Sequence, residues 1–360
     1  MSRSWPLTVE VQDDESISSW LVRAALTNGC DPGVLTDQLW PHSRAWTLDL
    51  DRNIPEEKIL PLVDCSGLKK SDIERMGLGR LAKSCSARPL EKHGVWPWVQ
   101  ALGARGGRYR GGIQFCPLCF QEDTNPYYRK IWRFSWVSIC DKHEVQLVER
   151  CARCRKPIEP HRLEAVKTAI LSECSECGFD LRLSPTLPTP CGYMVFQETA
   201  KSAIWDGKAK IVENSLRVQD WFDTCRHLLL LIRRAVSSPN STLSVVLREC
   251  CGDISLTPER LAFQLELLDV ETRSELFRAL HNLLNDLDSF FKKLSHCGSK
   301  LSSLENRQGE IPKSLAFLTE CMPKAELSFR ARGCYESCKP RSKETVLKSW
   351  ARIQRKHRID

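Results

Sequence analysis

The sequence predicts a mainly α protein interrupted by a small, cysteine-rich middle, and three observations predict it. Apolar residues recur at helical spacing on both sides of residues 111–182. Seven cysteines and one histidine fall into four pairs between Cys116 and Cys177, each pair separated by two residues. Between the first two pairs runs "YYRKIWRFSWVSI", residues 127–139, an aromatic and β-branched stretch that reads as strand.

The first element is a helix over residues 15–28, where Ile17, Trp20, Leu21, Ala24 and Ala25 share one face and Gly29 follows as a stop. Residues 55–82 hold two short amphipathic segments around Ser66-Gly67. That pattern fits a helix-turn-helix and an ordinary helical hairpin equally well. Within it, "GLGRLAKS" resembles a phosphate-binding loop, but Ala82 stands where the second glycine is required and no apolar strand precedes it, so nucleotide hydrolysis is not expected. The next stretch, "GARGGRYRGG", carries Arg105, Arg108 and Arg110 among five glycines. It reads chiefly as a linker into the cysteine-rich region, with those arginines as candidate phosphate contacts.

The four pairs are the strongest signal in the chain. Two cysteines separated by two residues fit a tight knuckle, and two knuckles complete a tetrahedron around Zn²⁺, which accepts thiolates and imidazoles without a geometric preference of its own. The first set is Cys116, Cys119, Cys140 and His143; the second is Cys151, Cys154, Cys174 and Cys177. The knuckles are 20 residues apart in the first set and 19 in the second. Pro117 and Gly178 suit the turns. Two zinc ions per chain are expected, in a tandem zinc-ribbon or zinc-finger module with short strands. Each set already supplies four protein ligands and leaves no open position, so the role is structural rather than catalytic.

Of the 18 cysteines, most of the others stand alone, as do Cys85 and Cys225, and read as small core hydrophobes. Cys334 and Cys338 are spaced to clip a metal but have no second pair. After the module, "LSPTLPTPCG" marks a boundary at residues 183–192. Helices are expected over residues 213–236 and from Thr257, an N-cap followed by Pro258. A stripe of Leu276, Leu280, Leu283, Leu287, Phe290 and Leu294 reads as the core of a C-terminal helical bundle. The full expected order is helix-turn-helix, zinc module and bundle. The expected divisions are 1–110, 111–182, 183–300 and a basic C-terminal segment 301–360.

Length and charge limit the function. A chain of 360 residues has room for two or three domains with packed cores. Its longest apolar run, "HLLLLIRR" at residues 227–234, is too short for a membrane span, and the N-terminus has no signal core. A cytoplasmic, nucleoid-associated bacterial protein without membrane contact is expected, in a compartment that keeps thiols reduced and favours metal sites over disulfides. The net charge is +8, and residues 330–360 carry ten Lys or Arg against three acids, a net of +7. That tail can form a basic helix with Val346, Trp350 and Ile353 on one face. Lys348, Arg352, Arg355, Lys356 and Arg358 are its candidate nucleic-acid contacts, against the plainer reading of a solvated tail. The carboxylates of "QDDES" and "QEDTN" read as caps and turn residues, so no catalytic residue and no enzymatic activity are expected.

Three segments carry a family resemblance. "DESISSWLVRAA", "GVWPWVQALGARGGRYRGGIQFCPLC" and "EDTNPYYRKIWRFSWVSICDKHEVQLVERCARC" resemble the TniQ family, targeting subunits of bacterial transposons that include the longer TnsD proteins. The likeness covers roughly residues 7–180. It implies a helix-turn-helix, two zinc fingers and a helical C-terminal half. It also implies a protein that marks an insertion site and recruits an AAA+ ATPase regulator, which engages the transposase. TnsD-type members read target DNA directly; some short members dock, often as homodimers, on a CRISPR RNA-guided complex. This chain has "LTVEVQD" where the family usually has a proline-rich opening, and a shorter C-terminal half than TnsD-type members. The alternative is a sequence-specific DNA-binding zinc-finger regulator unrelated to transposition.

Overall fold

A computed structural model describes residues 4–43, 45–52, 54–91, 94–102, 111–167, 170–189, 192–306, 310–320, 322–323, 342–344, 347 and 350–351. The chain divides into two compact units, Met1–Pro323 and Lys324–Asp360. No helix among the described residues is long and apolar enough to cross a membrane.

The larger unit begins with α1 (Ile17–Thr27), which Ser16 caps by accepting the Ser19 N–H. The five apolar residues read from its periodicity are all fully buried. They pack with α2 (Pro32–Leu39) and with Ile59, Leu62 and Ile73 into a small N-terminal core. The 55–82 stretch forms three short helices rather than two: α3 (Glu56–Ser66), α4 (Lys70–Arg75) and α5 (Gly79–Ser84). Gly67 closes α3 at φ +73°, a left-handed position that a side chain would strain. One more short helix, α6 (Pro117–Glu122), starts at the first cysteine pair.

Beyond the cysteine-rich region come α7 (Val195–Asp206), then β1 (Lys208–Ile211) paired antiparallel with β2 (Asn214–Arg217). Next is α8 (Val218–Ser237), which packs against α9 (Thr242–Cys251) and α10 (Val270–Asn285). α11 (Leu287–His296) packs on α9, and α12 (Ala316–Thr319) ends the unit. The leucine stripe is buried throughout, but it spans two helices, because the chain breaks at Asp286. A second, larger core links these helices to the tetrad cysteines and to Trp98, Phe115, Phe120 and Trp136.

Three expectations need correction. Residues 127–139 form no strand. They contain a 3-10 turn, Lys130–Arg133, and single bridges such as Val99↔Phe134 and Ile139↔Gln146. Residues 132–140 are all buried, and only single bridges pair with them among the described residues. Their backbone groups are satisfied by distant side chains instead. Gln114 donates to the Trp132 and Val137 carbonyls, Arg273 donates to those of Ser135 and Val137, and Gln197 accepts from the Ser138 N–H. The short strands expected elsewhere in the module are likewise single bridges among the described residues. Residues 214–217 belong to β2, so the helix expected from 213 starts at Val218. Residues 257–264 do not form a helix. Arg233 donates to the Leu261 and Phe263 carbonyls, which holds the segment as a turn before a 3-10 turn at Leu265–Leu267.

Candidate metal centres

The two sets of ligands read from spacing each come together. In both tetrads all four ligand atoms lie within 4.8 Å of one another. His143 Nδ1 is 3.4 Å from the Cys116 and Cys119 sulfurs and 3.5 Å from that of Cys140. Cys119 and Cys140 are 3.5 Å apart, sulfur to sulfur. In the second set Cys151 and Cys177 are 3.6 Å apart, and Cys154 and Cys174 are 3.7 Å apart. A tetrahedral zinc with bonds of about 2.3 Å to sulfur and about 2.0 Å to nitrogen requires edges of about 3.5–3.8 Å. The three sulfur–sulfur distances are far longer than the roughly 2.0 Å of a disulfide, and the cysteines are free.

Three of the four knuckles share one backbone plan. The N–H of the leading cysteine donates to a carbonyl five residues on, and its carbonyl accepts from the N–H four residues on. The donor-acceptor pairs are Cys140 to Val145 and Glu144 to Cys140, then Cys151 to Lys156 and Arg155 to Cys151, then Cys174 to Phe179 and Gly178 to Cys174. The fourth residue after each leading cysteine takes positive φ: +53° at Glu144, +60° at Arg155 and +66° at Gly178. Only the glycine was legible as a turn signal. The first knuckle differs, since Cys116 is the N-cap of α6, Pro117 is its first residue, and the Cys119 N–H points at the Cys116 sulfur.

The donor chemistry fits a divalent cation. Hydrogen bonds with Cys116 and Cys140 push the Cys119 thiol up, while those with Cys116 and Cys119 draw the Cys140 thiol down. Three thiols and an imidazole in contact cannot all act as acceptors unless positive charge sits between them. Burial pushes the Cys174 thiol up to about 12, the same conflict in the second set. His143 Nε2 faces away from the sulfurs and lies 3.0 Å from Glu122 Oε1, off the line of a hydrogen bond. A carboxylate behind a ligating imidazole fixes its ring and tautomer; spacing gave no sign of Glu122. The two tetrads differ in exposure. Cys116, Cys119 and Cys140 are buried, whereas Cys154 and Cys177 are half-buried.

Polar residues of the N-terminal segment and of residues 123–133 join those segments together. Lys130 N donates to Asp14 O and Ile131 N to Asp14 Oδ2, while Ser16 N donates to Tyr128 O. Tyr128 N donates to Ser19 Oγ, which donates to Glu15 Oε1, and Arg23 pairs with Glu15 at 3.1 Å. Arg133 pairs with Asp49 at 2.7 Å and also holds Asp51, which accepts from Ser18. Asp123 forms a two-pronged pair with Arg129. These carboxylates therefore have structural partners, in line with the reading of "QDDES" and "QEDTN" as caps and turns.

Among the lone cysteines, Cys85 and Cys225 are fully buried, and burial pushes the Cys85 thiol up to about 12. Arg105, Arg108, Arg110, Lys348, Arg352, Arg355, Lys356 and Arg358 lie outside the described residues, as do Cys334 and Cys338.

Helices packed around two four-ligand Cys/His tetrads, each able to hold a metal ion, define a mainly α protein with two candidate metal centres. Residues 6–147 match the model of the TniQ family. The match contains the whole first tetrad and ends before Cys151. Comparison with curated proteins returned no match.

Proposed function

We propose that this protein selects target sites for transposition as a zinc-stabilised adaptor. In this reading it links a target-recognition element, either DNA or a CRISPR RNA-guided complex, to an AAA+ regulator and through it to the transposase. The match to TniQ over residues 6–147 is the observation that carries the reading. The two tetrads support it by providing four-ligand sites for two zinc ions, with no ligand position left over for water. The protein contributes recognition and no chemistry of its own.

Charge favours an adaptor over an autonomous reader of DNA. Residues 330–360 carry +7 of the +8 total, which leaves the rest of the chain almost neutral. Phosphate contacts dominate DNA affinity, so the isolated protein should bind duplexes at roughly micromolar strength or weaker, with little regard to sequence.

The gene's neighbourhood should hold an AAA+ ATPase gene and a transposase gene, and the test is a transposition assay with those genes. Deleting this gene should abolish insertion at the chosen site. Insertion of unchanged frequency and position without it would overturn the reading. Nanomolar binding of the isolated protein to one particular duplex would replace the adaptor with direct site reading.

A further inference from the structure

The two tetrads differ in how open their sulfurs are to small oxidants. In the first, Cys116, Cys119 and Cys140 are at most 3 % exposed, and the fourth ligand atom is a ring nitrogen. In the second all four ligand atoms are sulfurs, and Cys154 and Cys177 are half-buried. Each of these two rests against a buried sulfur of the other knuckle. Cys154 is 3.7 Å from Cys174, and Cys177 is 3.6 Å from Cys151.

The loop that this tetrad closes also braces the N-terminal helices. Its 3-10 turn, Pro160–Arg162, packs on α1 and α2. His161 stacks on Trp46 with ring centroids 5.3 Å apart, and Ala165 N donates to Asp31 Oδ1 at 2.7 Å. Just past the last knuckle, Gln121 of α6 donates to Arg182 O. A change in the second ligand set therefore reaches the helices of the N-terminal core.

We propose that the second tetrad is a site of reversible thiol oxidation, where hydrogen peroxide converts its cysteines into two disulfides, Cys154–Cys174 and Cys151–Cys177, with release of one zinc ion. A bound zinc ion keeps ligating thiols deprotonated, and the thiolate is the species that attacks. The Cys154 sulfur attacks one peroxide oxygen. The O–O bond breaks, a sulfenic acid forms on Cys154, and the departing hydroxide takes up a proton to become water. The Cys174 sulfur then attacks the Cys154 sulfur. An S–S bond forms, the S–O bond breaks, and a second hydroxide leaves as water. Cys177 and Cys151 follow the same course with a second peroxide. Four thiolates thus give up four electrons to two peroxides, which with four protons yield four waters. No ligand set is left for the metal. Both disulfides join one knuckle to the other, so the loop stays closed but loses its tetrahedral tie. The first tetrad resists, because its sulfurs are buried and its three thiols cannot all pair. The proposal rests on zinc occupying both tetrads and is independent of the transposition reading.

The experiment treats the full zinc-loaded chain with hydrogen peroxide, follows zinc release with a chromogenic chelator against a peroxide-free control, and maps disulfides by mass spectrometry. One zinc equivalent should leave at least about tenfold faster than the other, because oxidation follows access to the thiolate. The peptides should show Cys154 joined to Cys174 and Cys151 joined to Cys177. Hydrogen exchange should rise over residues 160–167 while α8 stays protected. Dithiothreitol with added zinc should restore the starting state. Cys154→Ser should lose the fast equivalent, whereas Cys297→Ser, at the exposed lone thiol, should release zinc as the wild type does. Mapping needs no variant, so it decides the matter even if Cys154→Ser fails to fold. Release of both ions at one rate, release no faster than in the control, or other pairings among these cysteines would overturn the proposal. A chain that holds fewer than two zinc ions before oxidation would remove the metal assignment and the proposal with it.

Discussion

His227 shows how one buried side chain can set a pH limit. Burial holds its imidazole down to about 4, against an ordinary value near 6.5. The folded chain therefore keeps His227 neutral where the unfolded chain takes up a proton. The stability this confers is complete above about pH 6.5 and is lost as pH falls towards about 4. His227→Leu should flatten the fall of Tm over that window, removing about 2–3 kcal/mol of acid sensitivity. An unchanged difference in Tm between pH 7 and pH 5 would refute the assignment. The knuckle residues teach a related lesson in backbone terms. Gly178 pays nothing for positive φ, whereas Glu144 and Arg155 hold the same conformation with side chains. There the hydrogen bonds of the knuckle, back to the leading cysteine, hold a turn that local preference opposes.

At the scale of elements, α10 is the clamp between the C-terminal helices and the cysteine-rich region. Arg273 is fully buried on this helix and donates to Leu268 O, Ser135 O, Val137 O and Gln114 Oε1. Those acceptors belong to segments that no ladder of strands satisfies, so the guanidinium takes the place of a neighbouring strand. Arg273→Met should destabilise the zinc-loaded protein by about 3 kcal/mol or more, because it leaves several buried acceptors without donors. Arg217→Met, at an exposed surface pair, should leave stability almost unchanged. Urea unfolding of both variants measures the contrast, and similar small losses in the two would remove Arg273 from this role. Glu266 makes a second link of the same kind, accepting from Trp98 N and from Arg226.

At the scale of the whole molecule, the metal tetrads are part of the core rather than an appendage. Five of their cysteines lie in the same buried cluster as Trp221, Phe277 and Leu280. Structural zinc contributes on the order of 10 kcal/mol to the folding of such sites. Metal analysis should find two zinc ions per chain, one for each tetrad. Chelation should then proceed in two steps. The half-buried Cys154 and Cys177 open the second site first, and the buried first site releases its ion only with loss of helical signal. Cys154→Ser should lower the zinc content to one with the fold retained, while Cys119→Ser should unfold the larger part of the chain. A single equivalent of zinc in the wild type, or release of both in one step, would contradict this account.

The sequence by itself determined what depends on local spacing. The eight ligands, the apolar face of α1 and the leucine stripe could all be read because knuckle turns and helical periodicity are set by near neighbours in the chain. The leucine stripe also shows where such reading stops, since the break at Asp286 leaves the periodicity intact. Only the tertiary structure decided the rest. Residues 127–139 have strand composition, yet only single bridges pair with them among the described residues, and their carbonyls are claimed by Gln114 and Arg273 from far along the chain. Thr257-Pro258 is a sound helix start, but Arg233 binds the Leu261 and Phe263 carbonyls that a helix would have needed. The groove beside α8 is lined by residues scattered between 88 and 314, which no window of sequence brings together. A backbone hydrogen bond or an unpaired charge is settled by whichever partner the fold delivers, and for these segments that partner is distant.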